Sequence, residues 1–111
     1  MREEKYTEAE PVLRESLKVL VQKAADKWET FKTRGRLGAS LLGQKKYTEA
    51  EPLLLESYEG LKARVGNDPN VSWYLHDAGE RLVQLYEAWG KPDQAAEWRA
   101  KLSGAKGASQ P

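Results

Sequence analysis

The segment Lys5-Tyr6-Thr7-Glu8-Ala9-Glu10-Pro11 returns unchanged as Lys46-Tyr47-Thr48-Glu49-Ala50-Glu51-Pro52. Beyond it, Leu13, Glu15, Ser16 and Leu20 match Leu54, Glu56, Ser57 and Leu61 at the same offset, the distance from position 5 to position 46. A third, weaker copy lies slightly further along: Trp28, Arg36, Leu37, Lys46 and Ala50 correspond to Trp73, Arg81, Leu82, Lys91 and Ala95. A chain of 111 residues that repeats with a period a little over forty cannot be an arbitrary globule. Each unit is a supersecondary element that buries its apolar face against its neighbour.

The units read as pairs of helices. Ala50, Leu54, Tyr58, Leu61 and Val65 step by three and four, as do Ala9, Leu13, Leu17, Leu20 and Ala24. This spacing puts each set on one helical face. Val71, Leu75, Ala78, Leu82, Leu85 and Trp89 form a third stripe, and Ala95, Trp98 and Leu102 a shorter fourth. Thr7 to Glu10 and Thr48 to Glu51 have the capping-box pattern, in which Thr and Glu satisfy early helix N–H groups reciprocally. That placement puts Pro11 and Pro52 at the end of a first turn. Asp26 to Glu29 is expected to open another helix running to about Gln44, and Asp68-Pro69 or Ser72 the next. Gly66 and Gly90 are expected stops, with Pro92 starting a short last helix. Nothing alternates with period two, so no strand is expected. Residues 103–111 are small and polar and predict a disordered tail.

Leu37-Gly38-x-x-Leu41, Tyr47 and Ala50-x-x-x-Leu54-x-x-Ser57 lie at the spacing of a tetratricopeptide repeat (TPR). Leu82-Val83-x-x-Tyr86, Gly90 and Ala95 repeat it, and Tyr6, Ala9, Leu13 and Ser16 precede it. The chain resembles TPR proteins over roughly residues 5–102, and the Tyr-x-Glu-Ala-Glu-Pro-Leu-Leu phrase resembles their kinesin-light-chain-like branch, common in large bacterial proteins. Its ending, Leu82 to Leu102, is similar to the C-terminal repeats of some bacterial serine/threonine kinases. Val83 stands for the family's Gly, Pro92 for its Tyr and Arg99 for an apolar residue.

The resemblance implies an all-α, right-handed helical-hairpin solenoid of about five antiparallel helices within 1–102. A half repeat covers about 5–26, and full repeats about 27–66 and 68–102. It implies the C-terminal part of a longer array, a scaffold that binds a protein or peptide on its concave face. The groove positions carried over are Lys32, Arg36, Ala39, Leu42, Asp77, Glu80, Arg81, Gln84 and Glu87. Lys32, Arg36 and Arg81 suit an acidic peptide, although Asp77, Glu80 and Glu87 stand beside them in the sequence. The carboxylate clamp of chaperone-binding TPR proteins is missing, with Gly35 and Ala39 where it needs Lys and Asn. The alternative is a regulatory or assembly tail of a multidomain bacterial kinase or transcriptional regulator, with no ligand of its own. An N-terminal helix whose residues 9–24 lack a preceding partner is expected to self-associate or to be covered by a remodelled helix.

Catalytic and cofactor chemistry is not expected. No Cys and one His leave no thiol nucleophile, thiolate metal site or histidine pair. Gly38 to Lys45 misses a phosphate loop because Gln44 separates Gly43 from Lys45 and the stretch is helical. Ser72, His76 and Asp77 are the residue types of a nucleophilic triad, but adjacent His and Asp diverge by about 100° on a helix. A formal charge of +1 carries no pull toward nucleic acid or an anionic membrane. No apolar run approaches membrane-spanning length, and Met-Arg-Glu-Glu-Lys leads no signal segment, so a cytoplasmic domain is expected. The four Trp are expected mainly in the core, with Trp28 and Trp73 in equivalent places at two helix starts.

Overall fold

The computed structural model describes residues 2–108, with side chains from 5 to 103. It contains helices α1 (Arg2–Ala24), α2 (Trp28–Gly43), α3 (Tyr47–Arg64), α4 (Pro69–Ala88) and α5 (Pro92–Ala108), and no strand among the described residues. Each helix packs on the next, α2 also lies against α4, and side chains bridge α1 to α3 (Arg14 to Glu49) and α3 to α5 (Tyr58 to Trp98). Contacts between Tyr6 and Ser40, and between Tyr86 and Glu51, show that neighbours run antiparallel. Trp28 beside Tyr74 and Gly35 beside Arg81 show that α2 and α4 run parallel, side by side.

The expected stripes of α3, α4 and α5 form the core, while no residue of the expected α1 stripe (Ala9, Leu13, Leu17, Leu20, Ala24) is fully buried. Leu37, Leu41, Leu54, Leu61, Val71, Leu82 and Leu85 are fully buried, with Ala50, Tyr58, Ala78, Tyr86, Ala95 and Trp98 around them. Leu13 and Leu17 of α1 pack at the margin. The α2–α3 approach is close because small residues meet there. Gly35 lies against Ser57, Gly38 against Leu54 and Ala50, and Gly60 against the Phe31 ring.

The helix ends partly depart from expectation. Asp68 does cap α4, its carboxylate accepting from the Asn70 N–H at 2.9 Å with Pro69 following. The Thr48 capping box does not form, because α3 starts at Tyr47 with Lys46 at its cap and no side-chain bond. Thr7 likewise lies inside α1, and Pro11 and Pro52 fall within helices, past the first turn. The turn before α3 explains the shift. Lys45 adopts the left-handed conformation (φ 66°), and the Lys46 N–H donates to the Leu41 carbonyl at 2.8 Å. This six-residue closure ends α2 and brings Lys46 directly into position to start α3. The turn at 86–91 is the same, with Gly90 (φ 76°) in place of Lys45 and Lys91 N–H bonded to the Tyr86 carbonyl at 2.8 Å. Asp26 does not cap α2 either. Lys27 holds that position, and the Thr30 hydroxyl donates to the Ala24 carbonyl at 2.6 Å. Finally, α5 runs to Ala108, longer than the short helix expected; of the expected tail, 109–111 lie outside the described residues.

Candidate functional site

The repeat sets up two equivalent joints. At the first, Glu10 of α1 accepts from the Gln44 amide at 2.9 Å and lies near Arg14 and Lys46. Hydrogen bonds from Gln44 and Arg14 and the charge of Lys46 hold its carboxyl below the ordinary value despite some desolvation. At the second, Glu51, one period later, accepts from the Tyr86 hydroxyl at 2.7 Å. Burial and that carboxylate push the Tyr86 phenol up. Tyr47 packs on Trp89, which stacks on Tyr86 and carries Lys91 over its ring. With α2 and α4 side by side, their outer faces adjoin.

Along that surface the aromatic and cationic side chains gather. Lys32 Nζ lies 5.2 Å from the ring centres of both Trp28 and Tyr74. Tyr74 meets Trp28 at 5.6 Å and Trp73 edge-on at 5.0 Å. Arg36 is exposed, and no carboxylate among the described residues pairs with it. Arg81 is half-buried beside Gly35, its Nη2 3.0 Å from Asp77. Burial lowers its guanidinium from the ordinary value, with Arg36 adding to the effect and Asp77, Tyr6 and Tyr74 opposing it.

The structure therefore brings Lys32, Arg36, Asp77 and Arg81 together, with Ala39 and Gln84 one turn further along the same faces. It does not bring Glu80 and Glu87 with them. Glu80 lies 3.6 Å from His76 and lines a cavity between α4 and α5 with Val83, Arg99 and Leu102. Glu87 pairs with Arg99 of α5. Leu42 is half-buried and packs against the core. The carboxylates that adjoin the arginines in sequence are thus on another side of α4, and only Asp77 remains beside them.

Trp73 corrects a second expectation, since it is 62% exposed. Its counterpart Trp28 is covered by Tyr74 of α4, whereas no described helix packs on that side of α4. Trp98 is buried against Tyr58 at 4.8 Å, as expected of a core residue. Trp28, Trp73 and Tyr74 lie outside the groove set that the TPR resemblance implies. The signal available was the Trp28–Trp73 correspondence, which marks equivalent places on parallel helices.

The Ser72, His76 and Asp77 set is dispersed. His76 pairs with Glu80 while Asp77 turns to Arg81. Among the described residues no group of three or more His, Asp or Glu is placed to hold a metal, and no helix is long and apolar enough to cross a membrane. Residues 38–45 span the end of α2 and its closing turn, with no preceding strand. No family model matches this chain, and no curated protein or solved structure matches it.

Proposed function

We propose that this chain is a non-enzymatic protein-interaction module of the TPR type, and that the joint face of α2 and α4 binds an acidic peptide segment. The side-by-side, parallel setting of α2 and α4 supports the repeat reading, because it relates equivalent helices of successive units. One observation carries the ligand class: Arg36, with no carboxylate partner among the described residues, beside half-buried Arg81, whose one paired carboxylate among them is Asp77. A carboxylate arriving at these guanidiniums forms charge-assisted, bidentate hydrogen bonds in a partly desolvated setting. Trp28, Tyr74 and exposed Trp73 supply apolar area at one end, with little conformational entropy to lose.

Selection of a random peptide library on the immobilised 111-residue chain tests this. Enrichment of Asp- and Glu-rich sequences is expected, with affinity falling as salt rises. Arg36→Glu and Trp73→Ala should each weaken a selected peptide by about tenfold, the usual loss at a central contact. Neutral or basic winners, or binding indifferent to Arg36→Glu, would overturn the assignment.

A further inference from the structure

We infer that α1 carries a second docking face, distinct from the α2–α4 surface, and that its occupant is an amphipathic helix of a partner protein. The repeat identifies the face. Val12, Ser16 and Val19 are exposed on α1, at 65% for Val12 and 43% for Val19. One period later their counterparts Leu53, Ser57 and Gly60 are half-buried or buried in α3. What covers them there is α2. Gly35 lies against Ser57, the Phe31 ring lies on Gly60, and Arg34 Nε stands 3.6 Å from Glu56.

The opposite side of α1 is already used as that of α3 is used. The Ser40 hydroxyl donates to the Tyr6 carbonyl at 2.5 Å and Gln44 bonds Glu10, as Tyr86 bonds Glu51. So α1 stands in the place of α3 with its second face uncovered, a shallow trough lined by Val12, Glu15, Ser16, Val19 and Leu20. The surface that α3 presents to α2 thus recurs on α1 as that trough, and its charge is matched in advance. Glu15 occupies the position of Glu56 and calls for a cation where α2 has Arg34. Ser16 repeats Ser57 and calls for a small residue where α2 has Gly35. Val19 differs from Gly60: its side chain fills the hollow that receives the Phe31 ring. The occupant therefore resembles α2 with a small side chain in place of the phenylalanine.

The probes are two synthetic peptides with the sequence of residues 26–45, one native and one carrying Phe31→Ala, titrated into the isotope-labelled 111-residue chain. The Phe31→Ala peptide should bind, with methyl shifts confined to Val12, Val19 and Leu20. The native sequence should bind about tenfold more weakly, since its ring overpacks Val19. Glu15→Arg should cost about threefold and be restored by Arg34→Glu in the peptide. Val19→Lys, an exposed change whose fold circular dichroism checks, should abolish binding. Three results would overturn the inference: no shift on α1 at millimolar peptide, equal affinity of the two peptides, or a concentration-dependent dimer of the chain alone that Val19→Lys disperses. The last would assign the trough to a second copy.

Discussion

Alanine at position 38 sets two opposed effects against each other, and the structure decides between them. In an exposed helix interior, Gly→Ala stabilises by about 1 kcal/mol through the unfolded chain and helix propensity. At Gly38 a Cβ would stand 2.8 Å from both Cγ and Cδ2 of Leu54 and 3.4 Å from the Ala50 carbonyl. Leu54 is fully buried, and its branch point is not a free end that can swing away. Either Leu54 leaves its rotamer or α2 separates from α3, and such overpacking costs about 1–3 kcal/mol. The net expectation is a loss of about 1 kcal/mol, or about 4–8 °C in Tm for a domain of this size. Leu54→Ala alone should cost about 2–5 kcal/mol. In the double variant the clash is gone, the added methyl occupies part of the cavity, and Gly38→Ala becomes stabilising. Gly79→Ala is the control. Its Cβ would meet Cδ2 of half-buried Leu102 at 2.5 Å, with Cδ1 at 3.2 Å and Cγ at 3.3 Å, but this side chain lies at the margin of the core and can shift outward, so the same substitution should be neutral or stabilising. Urea unfolding followed by circular dichroism measures all four chains. Stabilisation by Gly38→Ala equal to that by Gly79→Ala, or additivity of Gly38→Ala and Leu54→Ala, would refute the clash with Leu54.

Tyr86→Phe removes a half-buried hydrogen bond to the Glu51 carboxylate and should cost about 1.5–3 kcal/mol in the same assay. Lys45→Gly should stabilise by about 1 kcal/mol, because a left-handed conformation strains a residue with a Cβ. Gly90→Ala, at the equivalent turn, should destabilise by a similar amount. Glu10 is held below its ordinary carboxyl value, so its contribution is complete above the unfolded pKa and is lost as pH falls through the folded one. Glu10→Gln should accordingly flatten the acid limb of stability against pH, and carbon-detected NMR titration should place the Glu10 midpoint below those of exposed glutamates.

The apolar stripes transferred directly from sequence to structure, because a period of 3.6 leaves few alternatives for a run such as Val71, Ala78, Leu82 and Leu85. Asp68-Pro69, Gly66 and Gly90 marked helix boundaries through chemistry that acts locally. The Thr48 box did not, because a lysine took the left-handed turn position that glycine holds at 90, and no composition rule singles out Lys45. In the site, charges adjacent along the chain looked like neighbours in space. Spacing does not separate them, since 77, 80, 84 and 87 also step by three and four; it is the pairing of Glu80 with His76 and of Glu87 with Arg99 of α5 that draws them away. Trp73 shows where pattern stops informing: it repeats Trp28, but its exposure depends on whether another helix lies over it.

The four indole N–H signals offer the most direct test of the claim that α2 and α4 form one acidic-peptide surface. A selected acidic peptide titrated into the nitrogen-labelled chain should move the signals of Trp28 and Trp73, which flank Tyr74. Those of Trp89, at the far end of α4, and of buried Trp98 should stay in place. Movement of Trp89 or Trp98 with Trp28 and Trp73 unchanged at saturation would contradict the account.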